Sequence, residues 1–213
     1  ALDQPYGLSV DGEGNLFIAE RSAHRIRRID TQGYVTTVAG TGVPGSDGDG
    51  GPPLEATLNQ PVDVEIDDQG NVLIAELAGN RIRRISGKDG LIGTIIGRGG
   101  RAGRGGDGGA AVDAELNGPQ SVAVDASGAV LVADWNNRLI RRVDRFGVIR
   151  TIAGMAGGHI ESGELAVESR LTLPMDIAPT LDGRLLVIEQ GARRVRTLAP
   201  VPKIEEKLVT GIG

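Results

Sequence analysis

The chain of 213 residues is 39% hydrophobic and 24% charged with a net charge of -5, enough apolar material for one folded domain and too little net charge for an extended coil. Cysteine is absent, which excludes disulfides, thiolate metal sites and a cysteine nucleophile. Thirty-four glycines beside five aromatic residues point to frequent turns around an aliphatic core, and so to many short strands in place of long helices.

In chain order, a first apolar run opens at Pro5 (PYGLSV), turns through DGEGN (Asp11 to Asn15), and returns as LFIAE ending at Glu20. RIRRI from Arg25 and VTTVAG from Val35 complete the unit. After a Gly-rich linker, 41–60, the same order recurs: PVDVEI from Pro61, GNVLIAE to Glu76, IRRI from Ile82 and GTIIG from Gly93. A linker over 98–118 leads to PQSVAV from Pro119, GAVLVAD to Asp134, IRRV from Ile140 and RTIAG from Arg150. A linker over 155–173 leads to PMDIAP from Pro174, GRLLVIE to Glu189, VRTL from Val195 and LVTGIG from Leu208. The blocks beginning at Gly14, Gly70, Gly128 and Gly183 are 56, 58 and 55 residues apart.

Four Val- and Ile-rich segments per unit, separated by Asp, Gly and Asn turns, predict a four-stranded antiparallel sheet. Such a sheet cannot bury two apolar faces alone, so units must stack, and radial stacking gives an all-β propeller. A linear solenoid is the competing arrangement, disfavoured because its repeats are usually shorter, roughly 20 to 47 residues. The expected domain is a single propeller over 1–213 with blades at about 5–40, 61–97, 119–154 and 174–213. The linker ends ATLN, AELN and SRLT read as short helical turns. LDQP before the first blade matches LNQP before the second, so the sequence begins within a linker and reads as a stretch of a longer array. Ring closure is then absent or supplied by another chain.

The proline-initiated strand, the V-D-x-x-G-N turn and the N-x-R-I-R-R-I strand, as in PVDVEIDDQGNVLIAELAGNRIRRI (Pro61 to Ile85), resemble NHL repeats. The linker GSDGDGGPPLEATLNQP is similar to insertions of bacterial NHL arrays and of the NHL propeller in teneurin-like surface proteins. The resemblance spans essentially the whole chain. It implies a propeller, commonly of six blades where this chain carries four, and an extracellular or cell-surface setting. Relatives of this kind carry adhesion, sensing, RNA binding, and lyase or lactonase chemistry, so the fold does not select the function.

Each Arg cluster lies at a fixed offset from a carboxylate. The pairs Glu20 with Arg27, Glu76 with Arg83, Asp134 with Arg141 and Glu189 with Arg196 are expected as structural ion pairs. Read instead as cation rings for nucleic acid, the clusters lack aromatic stacking platforms, and the acidic balance argues the same way. Two positions after each initiating proline stand Gly7, Asp63, Ser121 and Asp176, at the start of the innermost strand. Asp63 and Asp176 are candidate channel ligands for a hard cation such as Ca²⁺ or Mg²⁺; capping strand starts or binding channel water is the bland alternative. Asp47, Asp49 and Asp107 read as turn residues. Leu58 stands where an EF-hand loop begun at Asp47 needs Glu.

RGGRAGRGGDGG, with Arg101 and Arg104, lacks a G-K-[ST] ending and reads as a surface loop with adaptable binding capacity. His24 and His159 occupy dissimilar repeat positions, and no G-x-S-x-G elbow is present. Trp135 and Asn136, in a loop of one blade only, are candidate anchors for a partner, as is His24; a buried Trp135 would instead fill a blade seam. No apolar run approaches the roughly 18 residues of a membrane span, so membrane insertion is not expected. The preferred reading is a non-enzymatic scaffold binding a protein or glycan. The alternatives are a metal-dependent lyase or lactonase using Asp63 and Asp176, and nucleic-acid binding through the Arg clusters. Open blade faces, with Leu16, Ile18, Leu186 and Ile188 or their neighbours, would drive self-association.

Overall fold

Proline has no amide proton to give to a ladder, so it is tolerated at the first residue of an edge strand. The computed structural model, which describes residues 2–97, 99–154 and 170–198, places each initiating proline there. The first sheet runs β1 (Pro5–Val10), β2 (Leu16–Glu20), β3 (Arg25–Ile29) and β4 (Val35–Ala39). The second holds β5 (Pro61–Ile66), β6 (Val72–Glu76), β7 (Arg81–Ile85) and β8 (Ile92–Ile96). The third holds β9 (Pro119–Val124), β10 (Val130–Asp134), β11 (Leu139–Val143) and β12 (Ile149–Ala153). The fourth shows β13 (Pro174–Pro179), β14 (Leu185–Glu189) and β15 (Arg194–Leu198). The strand expected from Leu208 lies outside the described residues.

The chain is an all-β propeller whose sheets are antiparallel in sequence order. The second strand of each inner blade is buried on both faces, which is why VLIAE and VLVAD are nearly continuously apolar. Phe17, Ala19, Val64 and Ile74 fill the seam between the first two blades. Leu73, Ala75, Val122 and Val132 fill the next, and Leu131, Ala133, Ile177 and Val187 the third. At the end of β4, β8 and β12 a glycine is obligatory. A Cβ on Gly97 would stand 2.6 Å from the Asn80 carbonyl oxygen, and Gly97 sits at φ 107°, a region where side chains are strained.

Each complete linker folds back over the blade it leads into. Gly51 bridges Ile92 of β8 and Ala110 bridges Val148, while Pro44 pairs with Leu58 and Ala102 with Leu116. The expected helical turns fall earlier than ATLN and AELN. A 3-10 turn covers Ala111–Asp113, whereas Ala114 and Leu116, like Ala56 and Leu58, are bent into the seams and fully buried. Burial of the apolar pair there outweighs local helix preference. Of SRLT, Ser169 lies outside the described residues, and the remaining three form no helix.

The linker acids do more than shape turns. Arg83 is wholly buried and donates to the backbone oxygens of Asp47 and Thr57 and to the Asp49 carboxylate. Arg141 repeats the arrangement with Glu115 O, Gly105 O and Asp107 Oδ1, the last at 2.7 Å. A guanidinium with no water around it depends on these acceptors. Asp107→Ala should therefore lower unfolding free energy in urea by about 1–3 kcal/mol. The double variant with Arg141→Met should lose less than the sum of the single losses; additive losses would show that the pair does not couple.

Candidate functional site

The second strand of every blade ends in a buried carboxylate: Glu20, Glu76, Asp134 and Glu189. Each accepts a hydrogen bond from the residue two before the initiating proline of its own blade. The donors are Asp3 N at 2.9 Å, Asn59 N at 3.0 Å, Asn117 N at 2.8 Å and Thr172 Oγ1 at 2.9 Å. The guanidinium groups close in from the third strand. Arg27 Nη1 lies 3.3 Å from Glu20, Arg83 Nη1 3.9 Å from Glu76, Arg141 Nη1 3.6 Å from Asp134, and Arg196 Nε 2.9 Å from Glu189. Arg81 and Arg194, outside the paired set read from sequence, add forked contacts to Glu76 and Glu189; that of Arg81, at 3.1 Å, is shorter than the Arg83 contact, whereas that of Arg194, at 3.1 Å, is longer than the Arg196 one. Desolvation pushes the Glu76 carboxyl above its ordinary range and Asp134 up to about 6, despite their Arg partners.

The loops on this face are held by the same clamp. Arg21 N, Leu77 N and Gln190 N bond the carbonyls of Gln4, Gln60 and Leu173, each of which has a positive φ just before a proline. His24 takes a hydrogen bond from Gln60 N on Nδ1 at 3.1 Å. Asn136 Nδ2 donates to Asn117 Oδ1 at 3.2 Å. Trp135 is half-buried, and its Nε1 has no partner among the described residues. Arg101 lies 3.7 Å from Glu115, and both Arg101 and Arg104 are exposed. These residues are spread along the face and do not form one constellation.

The innermost strands β1, β5, β9 and β13 converge on a groove of about 470 Å³. Asp63 and Asp176 both line it, with Ser121 between them. Ser121 Oγ donates to Asp176 Oδ1 at 2.9 Å and is also in reach of Asp63. Asp63 accepts Val64 N on Oδ1 at 3.0 Å and Val122 N on Oδ2 at 2.9 Å, so it stitches the second blade to the third. Burial, with a smaller push from the Asp176 charge, raises its carboxyl to about 7. Gly7 faces this carboxylate, and a Cβ there would fall on Asp63 Oδ1 and within 2.7 Å of its Cα. Ser9 Oγ donates to Glu65 Oε2 at 3.1 Å, and burial raises the Glu65 carboxyl as well.

Two carboxylates and a hydroxyl fall short of the six to eight oxygens of a calcium site. Among the described residues no group of three His, Asp or Glu side chains is placed to hold a metal. Sequence reasoning did not single out Glu65, Ser9, Gln120 or the role of Ser121 as a bridge, because contact between neighbouring inner strands has no periodic signature. The linker acids did carry one: Asp49 to Arg83 and Asp107 to Arg141 are both separated by 34 residues.

The model of the Teneurin NHL domain matches residues 99–173. Mouse Teneurin-1 is 24% identical over 93% of this chain, which spans only 8% of that relative. Among solved structures, an auxiliary nutrient binding protein from Bacteroides thetaiotaomicron aligns at TM-score 0.68 and 17% identity, over 91% of this chain and 47% of its own. A streptogramin B lyase aligns at TM-score 0.56 and 13% identity, over 94% and 55%. At these identities the structures establish the propeller fold alone.

A carboxyl raised on folding favours the native state when protonated, so the native state loses stability as pH climbs from about 4 through about 7 and stays less stable above. Asp63→Asn removes that term. Its melting temperature relative to wild type should rise between pH 5 and pH 8; an offset constant with pH would show that Asp63 titrates normally.

Proposed function

With the chain taken as an array of NHL repeats folded into propeller blades, we propose that it is a non-enzymatic binding scaffold whose inner-strand groove and adjoining loop face receive a protein or ligand. The observation that carries this reading is the distribution of acceptors in the groove. Asp63, a strongly perturbed carboxyl there, has both oxygens engaged by backbone amides, and among the described residues no His, Lys or Arg lines the wall. A general base needs an oxygen free to reach a substrate proton, and a hydrolytic metal needs a ligand set that these residues do not assemble. Asp176 and Glu65, by contrast, each keep one oxygen without a protein donor among the described residues. The nutrient binding relative in the same fold is compatible with such a role, and the lyase relative supplies the competing one.

Turnover of γ- and δ-lactones in 1 mM Mg²⁺ should stay at the buffer rate, and millimolar Ca²⁺ should leave the melting temperature unchanged, since tight binding to the native state alone would raise it. Mg²⁺-dependent hydrolysis that disappears in Asp63→Asn would establish the lactonase reading in its place.

The two ends of the array support the association part of the same proposal. Leu8 of β1 is 64% exposed while its equivalents Val64, Val122 and Ile177 are 5% or less. Leu186 and Ile188 of β14 are 36% and 42% exposed, in positions that are buried in the other three blades. Leu16 is only half-buried and Ile18 is buried at 5%: on the first blade the open face is that of β1, because Ile18 is flanked on its own sheet by Leu8 and Arg27. Exposed apolar blade faces of this kind favour assembly. Light scattering should report a mass that rises with concentration, and Leu8→Asp with Ile188→Asp should return it to one chain; a wild-type mass constant near 22.1 kDa would remove self-association.

A further inference from the structure

The two inner linkers make one set of contacts twice. Arg83 and Arg141 each hold the carboxylate of an Asp-Gly-Gly segment, Asp49 and Asp107, together with a carbonyl two residues earlier, of Asp47 and Gly105. The Asp49 carboxylate is also in reach of Thr94, which stands opposite Arg83 in the ladder. The two glycines that follow pair with the edge of the fourth strand. Gly50 N donates to Ile92 O at 2.7 Å and Ile92 N to Gly51 O at 3.1 Å, and Gly108 and Gly109 do the same with Ile149 at 2.8 and 3.1 Å. Gly50 and Gly108 sit at φ 81° and 82°, a region open to glycine and strained for L side chains.

The first blade repeats the receiving side of this arrangement. Arg27 stands opposite Thr37 beside the same register shift that accompanies Arg83 with Thr94 and Arg141 with Thr151. Val35, opposite Ile29, holds the place of Ile92 opposite Ile85 and of Ile149 opposite Val143, on the edge strand of its sheet. No such carboxylate or glycine pair meets them among the described residues. Arg27 is partly exposed; its Nε and Nη1 donate at 3.3 Å to Thr36 O and Glu20, and Nη2 meets no acceptor among the described residues. Val35 is 46% exposed, against 1% and 0% for Ile92 and Ile149, and makes no bridge. Leu2 stands in the place of Leu58 and Leu116, whose carbonyls accept Gly45 N and Gly103 N, and is 38% exposed where those two are wholly buried. A guanidinium with a free donor matches a carboxylate, and an unpaired strand edge matches an extended backbone.

We propose that this edge of the first blade is a docking site for an Asp-Gly-Gly segment of a partner polypeptide, with the carboxylate on Arg27 and Thr37 and the glycine backbone paired to β4 at Val35. A second copy has no such segment to give: the sequence holds two, and both are engaged by Arg83 and Arg141 of their own chain. The proposal rests on the open first-blade face of the reading above and names what seats on its outer edge.

The experiment is fluorescence anisotropy of a fluorescein-labelled peptide with the sequence of 44–53, PGSDGDGGPP, titrated with the full chain at fixed ionic strength. Saturable binding is expected, and the peptide with Asp49→Asn should bind roughly tenfold more weakly. Gly50→Ala should weaken binding in the same way, whereas D-alanine in place of Gly50, which accepts positive φ, should keep the affinity within about twofold. On the protein, Arg27→Met and Thr37→Val should each weaken binding, while Arg184→Met, which removes an exposed guanidinium elsewhere, should leave it unchanged. The peptide variants meet the unaltered chain, so a first blade loosened by Arg27→Met does not decide the result. Equal binding of the Asn or L-alanine peptides, or equal losses in Arg27→Met and Arg184→Met, would overturn the proposal. No peptide binding with a wild-type mass that still rises with concentration removes the proposal and makes a second copy the occupant; specific peptide binding with a constant mass removes self-association and upholds it.

Discussion

The carboxylate buried at the end of each second strand is the constraint on which the rest of the architecture depends. It receives a hydrogen bond from the linker just before the initiating proline, and a guanidinium from the third strand of the same sheet. One side chain thus fixes where the chain leaves the linker and enters the innermost strand. Once that point is fixed, the next residues of β1, β5, β9 and β13 must line the groove in the same register. The backbone accepts strain to satisfy this anchor: Gln4, Gln60 and Leu173 all stand in the left-handed region, at about 1–2 kcal/mol each for residues with a side chain.

In the two inner blades this clamp fixes the path of the chain at a cost in desolvation. The carboxyls of Glu76 and Asp134 are raised although cations stand beside them, so desolvation exceeds the attraction of the pairs. An apolar substitute would remove the penalty, but it would also release the linker amide and the forked contacts that set its path. The stabilising free energy lies in the seams, where leucine, isoleucine, valine and alanine from adjoining sheets are buried at every interior blade. The two roles are divided spatially: apolar seams in the middle of the blades, charged clamps at the end where the linkers cross.

That division explains what could be read from the sequence. The strand order within each blade, the turns and the repeating acid were legible, because each unit meets the same physical demand and so repeats the same residue type. The linker acids Asp49 and Asp107 were seen only as turn formers, since Gly-rich surroundings satisfy that reading locally; their bond to a buried arginine 34 residues later needs the fold. Groove residues were the least legible. Gly7, Asp63, Ser121 and Asp176 occupy one repeat position with three different chemistries, and their relation emerges only when β9 brings Ser121 between two carboxylates.

The same comparison of equivalent positions bears on the ends of the array. Where Ala19, Ala75 and Ala133 are wholly buried against the next blade, the fourth blade has Ile188, and it is exposed. The alanine positions tolerate no larger side chain in a seam packed to interior density, where added methylenes force shifts. A surface that covers Ile188 must therefore stand farther from β14 than each blade stands from its predecessor, or must present a hollow there. Leu8, at the opposite end, is no larger than Ile177, which fills the same repeat position in the third seam. The enlargement is thus confined to the face that carries Ile188, so whatever seats there meets a geometry different from that of one blade on the next, whereas the Leu8 face keeps the dimensions of an internal seam.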